Sequence, residues 1–152
     1  MQTHFLNPSE RVRAWREHRR QLSELPFEQA IDFTLDFWNK TPVMERWLDW
    51  DFPDTWPTPW EILAGNEICS IAVTILMHDS LKFSNQSDYS EMSLQLFHDR
   101  DKHEMYFALV VKDLYVLKYG HMKKIDYDSI KHIDIQHKYI YSDQKGFIDE
   151  IR

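Results

Sequence analysis

Residues 68–81 read Ile-Cys-Ser-Ile-Ala-Val-Thr-Ile-Leu-Met-His-Asp-Ser-Leu, a run that is apolar nearly all round the helix it would form. A helix without a polar face must be enclosed by the rest of its chain, so this segment demands neighbours on every side. A chain of 152 residues can supply them from one core, without disulfide or metal staples. Nine Phe, seven Tyr and six Trp against three Gly leave ample material for that core and little for flexible linker.

The surroundings of the run change character along the chain. Upstream, helix starts recur. Asn7-Pro8-Ser9-Glu10 offers an N-cap, a proline at the first helical position and a glutamate placed to reach back. Val12, Trp15, Leu22 and Leu25 follow at helical spacing, with Arg11, Arg13, Arg16, Arg19 and Arg20 on the remaining faces. Pro26 opens a second helix, with Phe27, Ala30, Ile31, Leu35 and Trp38 on one side and Glu28, Asp32 and Asp36 on the other. Thr58-Pro59-Trp60-Glu61 repeats the same grammar. Downstream, beyond a polar stretch at 85–91, alternation takes over and predicts strands at 92–97, 105–111 and 114–117, with weaker ones at 125–127 and 133–141. Lys112-Asp113 lies between two apolar runs and predicts a tight hairpin, without the glycine such turns favour. Helices first and an antiparallel sheet second make an α+β fold, in which N-terminal helices and a buried central helix pack on the sheet. One domain is expected over 1–152, with no internal repeat.

Charge and cysteine usage exclude several function classes. The net charge is −7. Its acids concentrate between residues 26 and 101, a surface that repels a phosphate backbone and disfavours nucleic acid as a partner. The longest apolar run is far too short to span a bilayer, so no membrane role is implied. The single cysteine, Cys69, cannot form an internal disulfide, and the N-terminus lacks the sections of a signal peptide, so a cytoplasmic setting is expected. No glycine-rich phosphate loop, serine elbow or zinc-ligand pair is present, and no cofactor is implied.

The block Trp56-Pro57-Thr58-Pro59-Trp60-Glu61-Ile62-Leu63, then Gly65, then Cys69, resembles the nucleophile segment of bacterial transglutaminase-like cysteine proteinases. Their pattern there is W-x-T-P-x-E-x-L, a glycine-containing turn and a cysteine opening a buried helix. The resemblance spans roughly residues 45–120 and implies a minimal transglutaminase or papain-like core. Residues 1–40 would then be a helical N-terminal part, and 121–152 C-terminal strands or tail. It also implies Cys69 as nucleophile, because a helix N-terminus stabilises the thiolate that attacks. The alternative reading is packing: Ile68, Ile71, Ala72 and Val73 surround Cys69 as they would a small hydrophobe. The chain as a whole is also similar to small uncharacterised or virion-associated proteins of tailed bacteriophages, in its His4-Phe5-Leu6-Asn7-Pro8 opening and the Trp-Pro-Thr-Pro-Trp-Glu block.

The family pattern next requires a histidine on a central strand and an Asp-Asn pair ending its neighbour, in the manner of a Cys-His-Asp triad. Here Tyr115-Val116-Leu117-Lys118-Tyr119 resembles that second strand, with Lys118 in place of the orienting Asp. Counting back across the hairpin puts the expected histidine at Tyr106 or Phe107. His103 is the nearest substitute, and four residues of strand separate it from position 107, about 13 Å. The reading that follows is a catalytically degenerate domain acting through protein binding, its partner another virion protein or a second copy. The alternative is an active cysteine hydrolase or transferase using Cys69 and His103.

Other groupings have two readings each. Trp47, Trp50, Trp56 and Trp60, interleaved with Asp49, Asp51 and Asp54, either line a groove or form a mini-core that fixes the long loop before residue 58. Arg13, Arg16 and Arg20 form either a solvated helix face or a docking surface for an acidic partner. His98, Asp101 and His103 are ligand types in a segment that reads better as a charged hairpin loop. His78-Asp79 reads as a helix C-terminal cap, and His121, His132 and His137 lie apart from one another without metal spacing.

Overall fold

The computed structural model describes residues 7–45, 48–65, 68–84, 89 and 91–151. Four α-helices precede a sheet of six strands: α1 Pro8–Leu22, α2 Phe27–Asn39, α3 Pro59–Ala64, α4 Ser70–Lys82, β1 Met92–Asp99, β2 Glu104–Val111, β3 Tyr115–Lys118, β4 Ile125–Asp126, β5 Asp134–Ser142 and β6 Gly146–Asp149. Each strand pairs antiparallel with its neighbours in the order β4-β3-β2-β1-β5-β6. The α+β architecture expected from the sequence is the one observed. No helix of the described residues is long and apolar enough to cross a membrane.

The helix starts follow the sequence grammar. Asn7 Oδ1 accepts from Glu10 N at 2.9 Å with Pro8 at the first helical position. Thr58 and Glu61 form a reciprocal capping box ahead of α3. The hairpin between β2 and β3 turns on Lys112 and Asp113, at φ 56° and 52°. Both residues lie in the left-handed region that a two-residue hairpin needs, and they adopt it without glycine. The strand β6 was not expected; it pairs with β5 across a turn closed by Gly146 at φ 72°, where a side chain would be strained.

The all-apolar helix lies where its composition requires. Every residue of α4 from Ile71 to Leu81 is buried, between α1, α2 and α3 on one side and β1 and β2 on the other. Its enclosure joins Trp15, Leu35, Trp38, Leu94, Leu96, Phe107, Leu109 and Tyr139 in one cluster, each large side chain stabilising the fold by roughly 1.5–3 kcal/mol. The opposite sheet face carries a smaller cluster of Phe97, Ala108, Val110 and Val116, covered by Tyr127, Ile130 and Ile133 from the chain between β3 and β5.

Two expectations are corrected by this packing. Arg11 is not on a solvated face: it is 5% exposed and donates through Nη1 to Leu63 O at 2.7 Å and Gly65 O at 2.6 Å. It thereby satisfies carbonyls that the end of α3 leaves open. His78-Asp79 does not cap α4, which runs on to Lys82. Both are buried, His78 Nδ1 meets Asp79 Oδ1 at 2.8 Å, and the imidazole packs edge-on to Phe147.

Candidate functional site

Cys69 is the N-cap of α4. Its Sγ accepts from Ala72 N at 3.4 Å, the position a Ser or Asp oxygen would otherwise fill. Just upstream, Ile68 O accepts from Met44 N at 2.9 Å, and Met44 and Cys69 form a single parallel bridge. The helix start is thus tied to the chain that leaves α2. The cysteine is 3% exposed and belongs to the main core cluster.

Strand alternation decides what faces it. On β2, Phe107, Leu109 and Val111 join the helix-side cluster with Cys69, whereas Tyr106, Ala108 and Val110 belong to the opposite face. On β3, Leu117 points to the helices and Val116 away from them. Lys118 follows Val116: its Nζ lies 3.9 Å from the Tyr106 ring centroid and 2.8 Å from Glu104 Oε1. The lysine therefore sits behind the sheet as seen from Cys69. Tyr119 packs against the helix-side cluster and donates its hydroxyl to Thr41 O. The helix-side residues nearest the matched positions are therefore Phe107 on β2 and Tyr119 just past the end of β3, both aromatic. His103 is exposed in the β1–β2 turn at φ 51°, ahead of β2, and no hydrogen bond joins it to Cys69 among the described residues.

The tryptophans divide. Trp56 is 9% exposed; its ring stands edge-on to Tyr139 at 4.7 Å and to Phe107 at 5.9 Å, and its Nε1 donates to Asp49 O at 2.8 Å. Trp50 tilts over Phe107 at 5.6 Å, and Trp50 O accepts from the Tyr139 hydroxyl at 2.7 Å. Two aromatics and one hydrogen bond thus pin the long loop onto β2 and β5, and the Trp56–Asp49 hydrogen bond closes the loop on itself. Trp60 is 48% exposed and meets Trp15 edge-on at 5.4 Å. Trp47 lies outside the described residues. Of the arginines, Arg13 and Arg16 are exposed, and Arg20 is held by Glu17 at 2.6 Å and Glu24 at 3.1 Å. His98 is the last residue but one of β1, while Asp101 and His103 lie in the exposed turn. Among the described residues, no group of three His, Cys, Asp or Glu side chains is placed to hold a metal ion.

One pairing was not visible in the sequence. His137 Nδ1 meets Asp149 Oδ2 at 2.6 Å, and the imidazole stacks on Trp50 and Tyr139. Asp149 belongs to β6 and also accepts from Ile151 N and Lys138 N. The cross-strand row Phe107, Leu96, His137 lies on the helix side of the sheet. Two strand spacings, about 10 Å, therefore lie between His137 and Phe107, which places the couple to one side of the cysteine. Its evident effect is to fasten β6 to the sheet.

No family model matches the sequence, and no curated protein gives a significant match. Solved structures do match. Calcium-bound LapG of Legionella pneumophila superposes with a TM-score of 0.73 at 11% identity, over 97% of this chain and 82% of that one. A second LapG structure gives 0.71 at 12% identity, over 89% and 75%. EGTA-treated LapG gives 0.71 at 11% identity, over 95% and 83%. At such identities the likeness is one of architecture: the chain has the transglutaminase-like fold that LapG has.

Proposed function

We propose that this chain uses the transglutaminase-like frame as a binding scaffold and performs no thiol chemistry at Cys69. Its partner is another protein, in the virion or assembly setting that the sequence resemblance implies. One observation carries the reading: the thiol is 3% exposed and taken up in an N-cap hydrogen bond. Phe107 on β2 and Tyr119 just beyond β3 occupy the helix side near the positions where the resemblance would require a base and its orienting group. A nucleophile needs a base within hydrogen-bond reach; His103 lies exposed in the β1–β2 turn, and the His137 imidazole is engaged by Asp149.

The second reading, a cysteine hydrolase or transferase with His103 as base, is favoured by the place of Cys69 at the head of α4 in a fold shared with LapG. The two separate on thiol reactivity. As a scaffold, the folded protein resists iodoacetamide, and His103→Ala changes nothing. As an enzyme, Cys69 alkylates readily in the folded protein, and His103→Ala slows it.

A further inference from the structure

Arg13, Arg16 and Arg19 follow one another at three-residue intervals on α1, so their guanidinium groups form one oblique row rising about 4.5 Å per step. None of the three is ion-paired among the described residues, although the chain carries 25 Asp and Glu against 18 Lys and Arg. Arg20, the next residue, shows the contrast, clamped between Glu17 and Glu24. Arg19 lies over the Trp15 ring at 4.1 Å, with its Nε buried and without a hydrogen-bond partner among the described residues. Burial, and then the charge of Arg16, hold its pKa below the usual arginine value. Trp60 adjoins this end of the row, half exposed against Trp15. At the other end Pro8, Ser9 and Val12 join Arg13 and Arg16 around an open groove. Adjacent like charges with no counter-charge are unfavourable in the isolated protein and are relieved by an anionic partner.

We propose that this row, with Trp60 at one end and the groove at the other, docks an acidic polypeptide segment bearing apolar side chains among its carboxylates. The inference rests on the scaffold reading and names the class of its partner. Guanidinium groups take carboxylates bidentately. An extended peptide presents alternate side chains about 6.6 Å apart, carboxylates to the arginines and apolar groups to Trp60 and Val12. A nucleic acid fits less well. Its charge repeats at every nucleotide, whereas the row offers three arginines and then ends in Trp60 on one side and the Val12 groove on the other.

Fluorescence anisotropy tests it, with a labelled peptide carrying Leu, Glu, Glu, Glu and Leu at successive alternate positions and Ser between them as one probe, and a labelled oligothymidylate of matching length as the other. The peptide binds at low salt and weakens as salt is raised. Arg13→Glu with Arg16→Glu lowers its affinity about tenfold or more, Trp60→Ala lowers it several-fold, and Lys131→Glu, exposed on the far face of the sheet, leaves it within twofold. Oligothymidylate binding as tight as that of the peptide would overturn the proposal. So would absent peptide binding, or binding that the double charge reversal leaves unchanged. A reactive thiol beside intact peptide binding would sink the scaffold reading alone; an inert thiol without peptide binding would sink this inference alone.

Discussion

Lys118 Nζ lies 2.8 Å from Glu104 Oε1, on the face of the sheet turned away from Cys69. The orienting carboxylate that the sequence pattern lacks at this position would accordingly not be restored by writing it back. Lys118→Asp is expected to leave the alkylation rate of Cys69 unchanged. It should destabilise the fold by about 1–2 kcal/mol, because it sets a carboxylate beside Glu104 and removes the cation above Tyr106. Urea unfolding and thiol alkylation of the variant check both halves, and a gain in thiol reactivity would contradict the placement.

His18 makes the fold acid-sensitive. The imidazole is 1% exposed and stacked on Phe37 at 3.9 Å and Phe33 at 4.9 Å, and neither ring nitrogen has a partner among the described residues. Burial, with the positive charge of Arg19 adding to it, pushes its pKa from 6.5 down to about 3. The unfolded chain takes up a proton on His18 as pH falls through about 6.5, and the folded protein does so only near 3. Stability is therefore lost across that window as pH falls, by roughly 3 kcal/mol at pH 4.5. Urea midpoints at neutral pH and pH 4.5 should fall much less in His18→Leu than in the native protein, and an equal fall in both would contradict the assignment.

Ser80 joins three elements through one oxygen. Its Oγ accepts from Trp15 Nε1 at 2.9 Å and Trp38 Nε1 at 3.0 Å and donates to Leu76 O at 2.6 Å, so α1 and α2 are both fastened to α4. Ser80→Ala leaves two indole N–H groups buried without an acceptor, at a cost of about 2–4 kcal/mol. Thermal unfolding should show the loss, accompanied by a change in tryptophan fluorescence.

Arg11 is equally specific. Its Nη1 alone donates to both Leu63 O and Gly65 O, from a planar group more weakly hydrated than an ammonium and so less costly to bury. Arg11→Lys is expected to destabilise by about 1–2 kcal/mol and Arg11→Ala by about 3 kcal/mol. A neutral Arg11→Ala in urea unfolding would show that the helix end needs no such partner.

What could be read from the sequence was what local chemistry dictates. The caps at Asn7 and Thr58, the enclosure of α4 and the glycine-free turn at Lys112-Asp113 all follow from neighbouring residues. What could not be read depended on pairing across distance. Leu117 and Lys118 are adjacent in sequence yet point to opposite faces, and only the register of β3 on β2 says which one looks toward Cys69. His137 and Asp149 meet only because β6 folds back on β5, through a short segment with little alternation. Arg11, Trp15, His18 and Leu22 do recur at helical spacing, and all four are buried. A stripe that includes an arginine and a histidine does not look apolar, so polarity concealed two of its members.

The central claim, that Cys69 is a packing residue and helix cap, is tested most directly by its iodoacetamide alkylation rate at neutral pH in the folded protein, against the same chain unfolded in urea. A thiol 3% exposed and engaged by Ala72 N should react at least about a hundredfold more slowly when folded, since reaction then waits on local opening. His103→Ala should not alter that ratio. Folded-state alkylation as fast as in urea, or faster, and slowed by His103→Ala, would mean that an activated nucleophile is present and that the scaffold account is mistaken.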